Sequence, residues 1–214
     1  MLRNELYGFL EDVVRGDFMS RRVPAGARKL VDLAFSGNGE PTSAAEFPAA
    51  IDVAAEALAA HGLQGKVMLR LITNGSLLDR PRVKDGIARL DELGGEVWFK
   101  VDGATPAALW RINDTRSTPE ALGRRLRVCA ELCSTWVQTC VFTLDGQMPD
   151  AAETDAYVNF LARFAGKIAG VLIYPLARPS LQPEGTRLGT PPADWISVLA
   201  ARLEAKGLTV RVSP

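Results

Sequence analysis

The chain has 214 residues, 47% hydrophobic and 23% charged, which is enough apolar material for one large domain with a substantial core. Its 25 basic and 25 acidic residues cancel, so no broad field directs it to nucleic acid or anionic lipid, and nucleic acid is not an expected partner. No apolar run reaches the roughly 18 residues of a membrane span, and the opening MLRNELYGFLEDVVRGD mixes acids with apolar residues, unlike a signal peptide. No membrane partner and a cytoplasmic location are therefore expected. Cys129, Cys133 and Cys140 are too few and too clustered for a secreted disulfide framework, so reduced thiols are expected.

In chain order, Leu2, Leu6, Phe9, Leu10 and Val13 mark one face of an amphipathic first helix. LVDLAFS from Leu30 reads as a strand. FPAAIDVAAEALAAHG follows as a helix, with Ile51, Ala54, Ala55 and Leu58 on one face and Gly62 as its stop. Further strands are predicted in KVMLRLIT from Lys66, EVWFKVD from Glu96, WVQTCVFTL from Trp136, GVLIYPL from Gly170 and LTVRV from Leu208. Helical patterns fill 82–93, 153–164 and 193–203, and another runs through Leu122 and Leu126. His61 is placed at a helix end, on the surface, near the last carbonyls.

A strand every 30 to 40 residues or so, with a helix between, implies right-handed βα units and a parallel sheet. Between an open sheet and a barrel, the alternation within the strands favours the barrel. Val97, Phe99 and Val101 form an apolar face, and Trp98, Lys100 and Asp102 the other; Val67, Leu69 and Leu71 likewise oppose Met68, Arg70 and Asn74. In such folds ligands sit at the carboxyl ends of the strands. Those ends read SGNGEPT, TNGS, KVDG, TLDG and PLARPS. Each alone is a turn signal, but all fall at one edge.

FSGNGEPT, LITNGSLL, VWFKVDGATPAALWRIND and VLIYPLARPS, in that order, resemble the radical S-adenosylmethionine (radical SAM) enzymes over about residues 2–179. The resemblance implies an α/β fold, a partial (β/α)6 TIM-like barrel of parallel strands with its first strand missing. Residues 1–179 would form the barrel, and 180–214 a loop, helix and strand packed on the same domain. It implies S-adenosylmethionine as cofactor, its amino group held by the stretch Asn38, Gly39 and Glu40, with Ser36 and Gly37 shaping the wall. A carboxylate beside exposed backbone carbonyls suits an ammonium group. Lys100 and Asp102 match the position of carboxylate and ribose contacts, with an internal Lys-Asp ion pair filling the lumen as the alternative. Asn74 and Arg178 are weaker candidates, plausible as a turn residue and a surface arginine.

The family's 4Fe-4S cluster is held by three cysteines in a C-x-x-x-C-x-x-C loop, which this sequence lacks. Cys129 and Cys133 fall on one helical face and Cys140 within a strand, so none reads as an iron ligand. The expectation is a chain without the first strand and cluster loop, through a truncated gene model, a shifted start or real loss. It would supply at most the SAM pocket, for an unidentified small-molecule or peptide substrate. The rival readings are a non-catalytic βα barrel-like module binding a small ligand or partner protein, and an aldolase-like barrel with Lys100 as a Schiff base. SLQPEGTRLGTPP reads as a loop.

Overall fold

The computed structural model describes residues 1–37, 39–176 and 183–213. The chain divides into two compact units, Met1–Thr73 with Leu77–Val97, and Asn74–Ser76 with Trp98–Pro214. The first holds helices α1 (Leu2–Val14) and α2 (Phe18–Arg22), strand β1 (Asp32–Phe35), α3 (Phe47–Ala60), β2 (Met68–Thr73), α4 (Pro81–Glu92) and the start of β3 (Glu96–Lys100). The second holds α5 (Pro106–Asn113), α6 (Pro119–Leu132), β4 (Thr135–Val141), β5 (Thr143–Leu144), α7 (Ala151–Ala162), β6 (Gly170–Pro175), β7 (Leu188–Gly189), α8 (Ala193–Glu204) and β8 (Val210–Val212). A six-stranded sheet has the order β1-β2-β3-β4-β6-β8, and β5 pairs separately with β7. The pairs β1/β2, β4/β6 and β6/β8 are parallel. This is the α/β architecture the alternating elements predict.

In the first unit, period-2 alternation decides which strand residues are buried: Leu69 and Leu71 are at 5% and 0% exposure, while Met68, Arg70 and Ile72 are only partly covered. Phe47, Ile51, Ile87 and Leu90 of α3 and α4 are buried in the core of the same unit. Gly86 lets α4 approach closely, since a Cβ there would stand 2.5 Å from the Phe47 ring. On the other face Arg70 pairs with Glu96 at 2.7 Å and with Asp32, a partly buried triad from three strands. His61 caps α3, its Nδ1 bonding to the Ala57 carbonyl at 2.8 Å as the helix-end reading requires. It is not on the surface, however: its side chain is 6% exposed. The amphipathic α1 covers it, with Tyr7 edge-on at 5.6 Å and Glu11 at 3.4 Å from Nε2.

In the second unit, Val137, Val171 and Ile173 of the strands and Leu126, Leu161 and Leu203 of the helices are fully buried. The sequence reading omitted α5, although Thr105-Pro106 announces it. The threonine side chain accepts from Ala108 N and proline stands at the first helical turn, a pattern repeated by Thr118-Pro119 for α6. The predicted loop SLQPEGTRLGTPP contains β7, which pairs antiparallel with β5. A two-residue strand has no periodicity of its own to read. Among the described residues, no helix is long and apolar enough to cross a membrane.

Candidate ligand site at the strand ends

After β1 the chain enters a loop in which Gly37 and Gly39 have φ of 144° and 116°. L side chains rarely adopt that backbone. A Cβ on either glycine would meet only open space, so they serve to shape the backbone. Asn38 lies outside the described residues. Ser36 is exposed and Glu40 half-buried. Glu40 caps the 3-10 turn at 41–43, its Oε1 accepting from Thr42 N at 3.2 Å and Thr42 Oγ1 at 2.7 Å. A third bond comes from Thr73 Oγ1 at the end of β2, at 2.6 Å. Both threonines are buried, at 0% and 1% exposure. The carboxylate is thus fixed between two strand ends. Thr42 and Thr73 were missed by sequence reasoning; Thr73 falls on the buried parity of Leu69 and Leu71, a signal that was available.

In the second unit, Asn74 is exposed and accepts from Ser76 N at 2.8 Å through Oδ1, an Asx turn. Lys100 is exposed at the end of β3. Two residues on, Asp102 Oδ1 accepts from the backbone N–H of Cys140 at 3.0 Å, and its Oδ2 lies 3.4 Å from the Asn113 amide. Burial pushes the Asp102 carboxyl above its ordinary range, opposed by the Cys140 and Asn113 hydrogen bonds and the Lys100 charge. Lys100 acts on it only through space, so the ion-pair reading of these two does not hold among the described contacts. On β4, Gln138 Oε1 is buried and has no hydrogen-bond partner among the described residues. Arg178 lies outside the described residues.

The three cysteines are in no disulfide. Cys129 is fully buried in α6, its thiol pushed up to about 12 by desolvation. Cys133 is buried at the end of that helix in extended conformation, so it caps α6 rather than continuing its face. Cys140 sits in β4, pushed up to about 11 mainly by burial. Iron ligation needs accessible thiolates converging on one point. Two buried thiols and a half-buried one, on a helix, its cap and a strand, do not fit a 4Fe-4S cluster, and no group of potential metal ligands converges among the described residues.

Solved structures of one superfamily share the fold of this chain. The fold is that of the radical SAM enzymes. A domain of pyruvate-formate lyase-activating enzyme from Bacteroides vulgatus matches with TM-score 0.58 at 15% identity, over 86% of this chain and 99% of that one. A radical SAM methyltransferase from Sphaerobacter thermophilus matches at 0.62 and 18%, over 95% of this chain but 56% of the methyltransferase. SuiB from Streptococcus suis, solved bound to S-adenosylmethionine, matches at 0.55 and 11%, over 82% of this chain and 37% of SuiB. No family model and no curated protein matches the sequence.

Proposed function

We propose that this chain binds S-adenosylmethionine at the carboxyl ends of its parallel strands, within one barrel-like domain of residues 1–179 to which 180–214 is appended. The observation that carries the reading is the Glu40 carboxylate, held by Thr42 and Thr73 beside a loop whose two positive-φ glycines leave open space where a side chain would stand. Such a loop suits an ammonium group: backbone carbonyls accept its hydrogens, and a fixed carboxylate contributes charge without reorganising. Ser36, Gly37, Asn38 and Gly39 would form the wall. From the second unit, Asp102 would accept from ribose hydroxyls, Lys100 would neutralise the methionyl carboxylate, and Asn74 would shape its own turn. The orphaned Gln138 carbonyl on β4 supports a polar ligand, since buried acceptors are ordinarily satisfied.

When bound, S-adenosylmethionine supplies a sulfonium whose carbon–sulfur bonds are the reactive ones. Reductive cleavage would require a 4Fe-4S cluster, and no step through one is assigned here because Cys129, Cys133 and Cys140 do not fit it. The same thiols favour the second reading, a non-catalytic module that binds a small ligand or a partner. The test is calorimetric titration with S-adenosylmethionine and with S-adenosylhomocysteine. Saturable binding that weakens in Glu40→Gln, with the melting temperature preserved, supports the proposal. Heat at the level of buffer dilution for both compounds would leave the module reading in its place.

A further inference from the structure

The second unit contains a cavity of about 290 Å³ that no part of the sequence reading anticipated, lined from α5, β4, α7 and α8 together with the ends of β3 and β5. Its volume is at the lower end for small-molecule sites, roughly 300 to 1,000 Å³. Ala108, Ile112, Met148, Trp195 and Leu199 make much of the wall apolar, and Asp102 is part of that wall.

The polar lining is one-sided. Thr139 donates its only hydroxyl proton to the Val101 carbonyl at 2.9 Å, so the 2.6 Å contact with Tyr157 has the tyrosine as donor. The Tyr157 oxygen is left with lone pairs alone. Among the described residues, Arg111 is the one cation of the lining, and it pairs with Glu153 at 2.8 Å. Asp150 caps α7 by accepting from Glu153 N at 2.7 Å. Asp102 receives one good backbone hydrogen bond and a long one, with no cation in direct contact among the described residues. Asp102 is half-buried, and a carboxylate so placed beside an apolar wall is ordinarily completed by a charge-bearing donor.

We propose that this cavity binds a small ligand with an apolar body and a protonated primary amine, the ammonium donating to Asp102 and the Tyr157 oxygen while the body rests on Trp195 and Leu199. A neutral hydroxyl satisfies fewer of these acceptors, and a carboxylate meets like charge. The proposal shares only Asp102 with the S-adenosylmethionine reading and stands without it.

Benzylamine is the probe, with benzyl alcohol and phenylacetate as isosteric controls, and the Trp195 indole resonance, assigned by loss in Trp195→Phe, as the readout. Benzylamine is expected to shift that resonance saturably and to bind about 10- to 150-fold more tightly than benzyl alcohol, the range of a charge-assisted hydrogen bond. Phenylacetate should leave it in place. Asp102→Asn should bring amine and alcohol to equal affinity, and Thr154→Phe, which fills the cavity, should abolish binding of both. Benzylamine binding in a protein whose S-adenosylmethionine titration gives only dilution heat would separate failure of that reading from failure here. Alcohol binding as tightly as amine, discrimination that survives Asp102→Asn, or binding that survives Thr154→Phe would overturn the proposal. So would an unmoved Trp195 resonance in the unmodified protein.

Discussion

Glu40 and Asp102 both follow parallel strands, and their surroundings differ in kind. Three donors converge on one oxygen of Glu40, two of them threonine hydroxyls in the core. Asp102 faces a largely apolar cavity with one strong amide donor. The first carboxylate ties two strand ends together, so removing it should disturb the loop as well as any ligand. The second is under-compensated, so the fold should tolerate its neutralisation.

The largest expected effect contrasts one ion pair from each unit. Arg70→Ala leaves Asp32 and Glu96 partly buried without their shared guanidinium, and should cost about 3 to 5 kcal/mol of unfolding free energy. Arg202→Ala breaks an exposed pair with Asp155 and should cost about 0 to 1 kcal/mol. Urea denaturation of both variants checks the pair of values; equal losses would erase the distinction between a compensated and a solvent-screened charge.

Glu40→Ala withdraws the acceptor of Thr42 and Thr73 and should cost about 2 to 3 kcal/mol of stability, together with a roughly 10- to 150-fold weaker affinity for S-adenosylmethionine. Glu40→Gln keeps an amide oxygen for both threonines. It should therefore stay within about 1 kcal/mol of the parent while losing ligand affinity, because only the charge is gone. Thermal melts set beside calorimetry separate the two. Undiminished affinity in Glu40→Gln would make Glu40 a purely structural cap.

Asp102→Asn should act in the opposite direction on stability. The folded-state pKa of Asp102 is raised above its ordinary value near 3.8, so its favourable contribution is complete below that value and is lost as pH rises through the folded pKa. The asparagine variant, whose amide oxygen can still accept from Cys140, should gain on the parent from acid toward neutral pH. Denaturation midpoints across that range measure the gain, and a variant that weakens steadily as pH rises contradicts the assignment.

The smallest effect is chemical. With Cys129 and Cys140 pushed up to about 12 and about 11, both should be protonated near pH 8, where an ordinary thiol of pKa about 8.5 is already partly ionised. An aromatic disulfide reagent should modify them only slowly until denaturant is added. Rapid labelling of Cys140 in the native protein would mean that the cavity opens to solvent more readily than its packing indicates.

Periodicity carried most of the architecture. Strong alternation in 67–71 and 97–101 marked buried and partly covered strand faces, and the helical stripes in 47–60 and 81–92 were equally readable, because the repeat that forms the element also buries it. The Thr-Pro pairs that start α5 and α6 were legible too, but α5 passed unread beneath the turn signal of Asp102-Gly103. His61 was placed correctly at a helix end and wrongly in solvent, since nothing local to it reveals that α1 lies across it. β5 and β7 are too short for any pattern, and their pairing is a contact across more than 40 residues of chain.

What the sequence determined by itself was therefore the kind of each long element, the face it buries and the presence of carboxylates after two strands. All three are properties of residues within a few positions of one another. Only the tertiary structure decided what those carboxylates do. Thr73 reaches Glu40 across 33 positions, and Cys140 donates to Asp102 across 38. Whether a carboxylate becomes a structural tie or a ligand's counter-charge depends on which donors and how much apolar wall the fold brings from that distance. Local pattern holds no record of such partners, because each of them satisfies its own strand or helix equally well without the other.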